Sequence, residues 1–131
     1  MRAGLNYDVL MSNILETYRV LKRNSHKVLL LLRYYVSKVA ESGKGRWVNL
    51  CNPYILMAAL ALHLNGIVIT VDNVRWVLER IGVVYSRGSV SSSLKSLAVL
   101  KIIRSLKVKR NFRMYVVEPE FESLLIRELK L

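Results

Sequence analysis

Apolar positions recur at helical spacing along most of the chain. Between residues 5 and 22, Tyr7, Leu10, Met11, Ile14, Tyr18 and Leu21 fall on one face, with Asp8, Ser12, Glu16, Arg19 and Arg23 opposite. This spacing predicts an amphipathic helix. Asn24-Ser25 breaks the pattern, and Ser25 can cap a second helix over 26–41. The main stripe of that helix is Val28, Leu32, Tyr35 and Val39. Leu29, Leu30, Leu31 and Val36 leave it few polar positions, so it must be covered on most sides, by the core or by another chain. Ser42-Gly43-Lys44-Gly45 ends it in a loop.

From Trp47 to Val71 no residue is formally charged, a run of 25 positions. About 20 apolar residues span a bilayer. Here Asn49, Asn52, Pro53, His63, Asn65 and Gly66 interrupt the run. Asn52-Pro53 reads as an N-cap followed by Pro at the first helical position, and Asn65-Gly66 as a turn. The run therefore divides into a buried helix at 53–64 and a short strand at 67–69, and no membrane partner is expected. Thr70 can cap a helix from Val71 to Ile81 with Val71, Val74, Leu78 and Ile81 inward and Gly82 as its stop. After a connector at 83–88, Ser89 is expected to cap a helix over 89–100. Residues 102–108 and 112–117 read as strands joined by Lys109-Arg110-Asn111. Pro119 opens a last helix, with Phe121, Leu124, Leu125 and Leu129 facing inward.

Composition narrows the classes that can use such a pattern. The chain has 131 residues, of which 53 % are hydrophobic and 23 % charged, so it can build one core and is not a disordered basic tail. Its one cysteine excludes an internal disulfide scaffold. No apolar signal core follows the N-terminus, and a cytoplasmic location is expected. The absence of Gln and the richness in Leu, Val, Ile, Lys and Arg lean towards a thermophile source.

Charge then adds a direction. The chain carries 21 Lys and Arg against 9 Asp and Glu, a formal net charge of +12. Between Glu79 and Glu118 there is no acid, and that stretch holds nine basic residues: Arg80, Arg87, Lys95, Lys101, Arg104, Lys107, Lys109, Arg110 and Arg113. Solvated surfaces normally mix signs, so a one-sided stretch points to a polyanion. A second basic set, Arg19, Lys22, Arg23, Lys27, Arg33 and Lys38, lies between Glu16 and Glu41 and reads mainly as a solubilising surface. On the fifth helix, Val90, Leu94 and Leu97 must face the core. Ser91, Ser92, Lys95, Ser96 and Val99 are then expected outside. A face so short, hydroxyl-rich and basic can lie in a major groove, contacting bases or phosphates.

The segment from Ser89 to Ile103 resembles the recognition helix and first wing strand of winged helix-turn-helix proteins. A Ser-Val pair opens the helix, Leu94 and Leu97 pack it, and Ile102-Ile103 begins the wing. Thr70 to Gly82 resembles the preceding helix, 67–69 the short strand that pairs with the wing, and 53–64 the first helix. The resemblance covers about residues 52–118 and rests on patterns rather than invariant letters. It implies a mainly α fold with a small β-hairpin wing, built as a winged helix-turn-helix with two extra N-terminal helices. It places Lys109, Arg110 and Asn111 at the wing tip and Arg113 and Tyr115 on the returning strand. The implied contacts to double-stranded DNA are Arg87, Ser89, Ser91, Ser92, Lys95 and Ser96 with Lys107, Lys109, Arg110 and Arg113. The family usually has Gly where the recognition helix ends, and this chain has Lys101, which leaves the wing angle open. In regulators of this type, extra helices commonly form a dimer. The chain thus divides into an extension at 1–44 and a winged-helix domain at 45–131. The stripe Leu10, Ile14, Tyr18 and Leu21 either joins two copies or packs inside one.

The inventory for catalysis is thin. His26 and His63 lie far apart in sequence, with no Cys or carboxylate spacing that fits a metal, and Cys51 is alone in an apolar stretch. No glycine-rich phosphate loop is present, Gly43-Lys44-Gly45 being too short. Neither an enzyme, a metal nor a cofactor is expected. Two functions fit: a sequence-preferring DNA-binding regulator acting as a homodimer, and a protein-docking subunit of a transcription or replication assembly with only generic nucleic-acid affinity. Phosphate binding alone does not separate DNA from RNA, although aromatic stacking groups are few on the basic strands. An effector ligand and an operator sequence are not legible.

Overall fold

The computed structural model of the protein describes residues 3–41, 52–110 and 112–131. It is mainly helical. The elements in order are α1 (Ala3–Arg23), α2 (Ser25–Glu41), α3 (Pro53–Leu64), α4 (Val71–Arg80), α5 (Arg87–Val99), β1 (Ile103–Lys109), β2 (Phe112–Val117) and α6 (Pro119–Leu129). The loop at 42–45, Cys51 and Asn111 lie outside the described residues. Among the described residues no helix is long and apolar enough to cross a membrane.

α3 is the hub. Ile55 to Leu62 are all buried, so this helix has no polar face and must be surrounded. α1, α2, α4, α5 and β2 all pack on it. Its start follows the expected chemistry: Asn52 Oδ1 accepts from the Tyr54 and Ile55 amides at 2.8 and 3.3 Å, and Pro53 fills the first helical position. Its end is tied to α1, where Asn65 Nδ2 donates to Thr17 Oγ1 at 3.0 Å.

The N-terminal stripe is spent inside the chain. Ile14, Tyr18 and Leu21 are buried in the same cluster as α3, and Leu10 is half-buried against it. These residues therefore form the monomer core rather than a free face for a second copy. Trp76, off the core stripe of α4, is partly covered beside Tyr7, Leu10 and Met11. α2 packs on α6 through Tyr35 and Phe121, whose rings meet edge to face at 5.3 Å. Lys27 Nζ donates to the Glu128 carbonyl at the end of α6, where carbonyls lack helical partners. One core thus crosses the expected boundary at 44/45, and the extension is not a separate packing unit.

Three departures from the expected elements have a local cause. α2 starts at Ser25 itself, because the Asn24 carbonyl accepts from Lys27 and Val28 and the two helices meet almost without a linker. α5 starts at Arg87, not after Ser89, because Ser86 Oγ accepts the Ser89 amide at 3.1 Å and is the true N-cap. Residues 67–69 form no strand of their own. Only Ile69 bridges to Tyr115, through N–H···O bonds of 3.3 and 2.8 Å.

Candidate nucleic-acid interface

The geometry of the hairpin follows from how α5 ends. Lys101 has φ +68°, the left-handed conformation that glycine adopts at no steric cost. Its amide donates to the Ala98 carbonyl, and the Ile102 amide to the Leu97 carbonyl. The same pair of bonds closes α3 at Gly66 and α4 at Gly82, with Ile67 over Leu62 and Val83 over Leu78. α5 therefore keeps the left-handed exit, with a lysine carrying the strain, and Ile102 is buried over Leu97. β1 then pairs antiparallel with β2, from Ile103 opposite Val117 to Lys109 opposite Phe112, with a bulge between Lys107 and Lys109. The Ile69–Tyr115 bridge fastens the hairpin to the segment before α4, and the Glu118 amide closes its base on the Ile102 carbonyl at 2.9 Å. The helix before α5 is held too. Arg75 Nε donates to the Tyr85 carbonyl at 3.1 Å, and Asn52 Nδ2 to the Tyr85 hydroxyl at 2.8 Å, which pins the 81–86 connector.

These constraints leave a cleft of about 280 Å³ between the start of α4, the outer side of α5 and the hairpin. Ser91, Lys95, Arg87, Arg110 and Arg113 line it, together with Thr70, Val71, Asp72, Phe112 and Tyr115. Five of the ten residues expected at a DNA contact thus come together, three from α5 and two from the hairpin. The first turn of α4 borders the same cleft and adds the positive end of a helix dipole. Tyr115 is held above the usual tyrosine range by burial, which outweighs the opposing pull of Arg113 beside it, so its hydroxyl stays neutral.

Sequence reasoning missed Asp72 as part of this site. Its carboxylate is ion-paired with the Arg87 guanidinium across 15 positions of sequence, so Arg87 is engaged within the chain. The available signal was Thr70 as N-cap, which fixes Asp72 in the first turn of α4; its proximity to Arg87 depends on how α4 and α5 cross. Lys95, Arg110 and Arg113 make no ion pair with another described residue.

The other expected contacts disperse. Ser96 is buried, at 8 % exposure, which corrects its outward assignment. The reason is Leu100: also buried, it rotates the core arc of α5 towards Ser93 and Ser96. Ser92 is exposed but lines a neighbouring depression with Asn52, Tyr85 and Ser86. The Ser89 hydroxyl accepts from Ser86 at the helix start. Lys109 is exposed at the end of β1, outside the cleft lining, and the Lys107 side chain lies outside what is described, although its backbone pairs with Arg113. No protein-family model matches this chain, and no match was found among curated proteins or solved structures.

Proposed function

We propose that this chain is a double-stranded DNA-binding protein of winged-helix type, regulating transcription. α5 would enter the major groove, and the β1–β2 hairpin would act as a wing on the backbone or in the minor groove. The observation that carries this reading is the cleft in which Ser91 and Lys95 of α5 face Arg110 and Arg113 of the hairpin. A concave wall in which Lys95, Arg110 and Arg113 make no ion pair with a described residue, beside a helix start, raises local positive potential where a phosphate backbone can follow it. Support for the winged-helix architecture comes from the order α3–α4–α5–β1–β2, the left-handed exit at Lys101 and the bridge of Ile69 to the returning strand.

In this reading Lys95 is the residue nearest to base readout, while Arg110 and Arg113 hold phosphates. Arg87 joins them only when it leaves Asp72. A second copy, which a two-fold operator would require, cannot use Ile14, Tyr18 and Leu21. Leu30 and Tyr34 are the exposed apolar residues that α2 offers instead. The test is fluorescence anisotropy on a duplex in a salt series. With about six phosphate contacts, affinity falls about 10³-fold from 50 to 200 mM salt. Binding that ignores salt, or that is absent below ~10 µM at low salt, overturns the proposal.

A further inference from the structure

The hairpin has an open edge whose residues Arg104, Leu106, Val108 and Lys109 do not line the cleft. Register places Arg104 opposite Val116 and Leu106 opposite Met114, on the face away from buried Ile103, Tyr115 and Val117. Leu106 is 40 % exposed and Val108 53 %. β1 has β2 on one side and, among the described residues, no strand on the other. Exposed apolar side chains next to unpaired backbone donors and acceptors form a template for another strand. Arg104 and Lys109 flank those residues on the same strand, with no acid between Glu79 and Glu118 in the sequence.

We propose that the free edge of β1 docks an extended, acidic strand of a partner protein. The incoming strand would lay an apolar side chain on Leu106 and Val108 and set carboxylates beside Arg104 and Lys109. Its backbone would pair with β1 in the manner of strand addition, where main-chain bonds supply affinity and alternate side chains supply choice. A second copy of this chain fits poorly, because β1 against β1 brings Arg104 and Lys109 of both copies into one sheet, and like charges across strands destabilise it. Duplex DNA fits poorly too, since it offers neither strand hydrogen bonds nor apolar cover for Leu106. None of Arg104, Leu106, Val108 and Lys109 lines the cleft, so this inference stands or falls independently of DNA binding there.

The experiment uses the full chain and the fluorescein-labelled peptide Glu-Thr-Val-Thr-Val-Thr-Glu, whose two Val and two Glu fall on one face of an extended strand, followed by anisotropy. Saturable binding with Kd below ~100 µM is expected. N-methylation of alternate peptide amides, and separately Leu106→Glu, should each weaken it at least ~10-fold, about 1.4 kcal/mol. Leu106 is exposed, so that variant keeps the fold, and circular dichroism checks it. Equal binding of the N-methylated peptide would show plain charge attraction and overturn strand addition. So would failure to saturate below ~1 mM. A Leu106→Glu variant that loses duplex DNA while keeping the peptide would assign the edge to nucleic acid instead.

Discussion

Two basic sets of similar density do different things with their charge. In the N-terminal half, Arg19 and Arg23 both reach Glu16, at 3.5 and 3.7 Å, and Lys27 holds the end of α6. Lys22 lies over the Tyr54 ring and Lys38 over Tyr34 and Tyr35. These cations are spent on the protein's own carboxylates, carbonyls and rings, on the outer sides of α1 and α2. In the C-terminal half, Lys95, Arg110 and Arg113 converge on a cleft and make no ion pair with another described residue. Net charge therefore says little about a partner until the cations are sorted by what they face. Exposed pairs such as Arg19 with Glu16 contribute only about 0–1 kcal/mol to stability, so neither set exists to hold the fold.

The comparison breaks most directly by removing three cations from each set. Lys95→Ala with Arg110→Ala and Arg113→Ala should weaken duplex binding on the order of 10²-fold and lower the salt slope by about 2, one for each phosphate contact of Arg110 and Arg113. Arg19→Ala with Arg23→Ala and Lys38→Ala should change affinity less than ~3-fold, by long-range charge alone. Anisotropy in a salt series reads both. Equal losses from the two triples would mean that total charge, not the cleft, attracts the duplex.

The carboxylates sharpen the same contrast. Asp72 holds Arg87 at the mouth of the cleft, whereas Glu16 holds Arg19 and Arg23 far from it. Asp72→Asn removes a negative charge and frees a cation, and should raise duplex affinity roughly 5-fold, about 1 kcal/mol. Glu16→Gln should leave affinity within ~1.5-fold on the same assay. A fall in affinity with Asp72→Asn would show that the pair positions Arg87 rather than restrains it.

Legibility in the sequence followed the range of the interactions. Caps and stops are local, so Asn52, Pro53, Thr70 and Gly82 were readable, and so was the all-round burial of α3. Ser86 and Ser89 lie in one serine-rich stretch where either can cap, and only the amide actually bound tells them apart. Val90, Leu94 and Leu97 alone point Ser96 outward, and only buried Leu100 turns the core arc onto it. The cleft was legible as a list of cations but not as a site. Its Asp72–Arg87 pair and the role of Ile69 depend on contacts between elements distant in sequence. The N-terminal stripe could have served either a core or an interface, and pattern alone does not choose between them.

Tyr18 shows what the N-terminal half does instead. It is buried at 2 % exposure, and its hydroxyl has no hydrogen-bond partner among the described residues. Burial, with smaller contributions from Tyr54 and Tyr85, pushes its pKa up to about 12 from the ordinary tyrosine value of 10.0. A phenol whose folded pKa is raised favours the folded state only while protonated, so its stabilisation is full below pH 10 and lost as pH rises towards 12. Tyr18→Phe should therefore flatten the loss of stability over that window and raise stability at neutral pH by about 1 kcal/mol. Urea melts at pH 7 and pH 11 check both, and an unchanged alkaline loss in Tyr18→Phe would place its origin at another tyrosine.

The smallest effect concerns the joint between α5 and the hairpin, where Lys101 takes the place that Gly66 and Gly82 hold at the other two exits. A left-handed non-glycine residue costs roughly 1–2 kcal/mol, and glycine recovers that while giving back part through a freer unfolded chain. Lys101→Gly should accordingly stabilise the protein by about 0.5–1 kcal/mol, read as a rise in the urea midpoint at constant slope. The same variant removes one exposed cation of the C-terminal set that lies outside the cleft lining. If affinity for duplex stays within ~2-fold, the cleft bounds the interface. A loss as large as that of Arg113→Ala would extend the interface along the hairpin base, with the lysine's strain then carried by a residue that touches the nucleic acid.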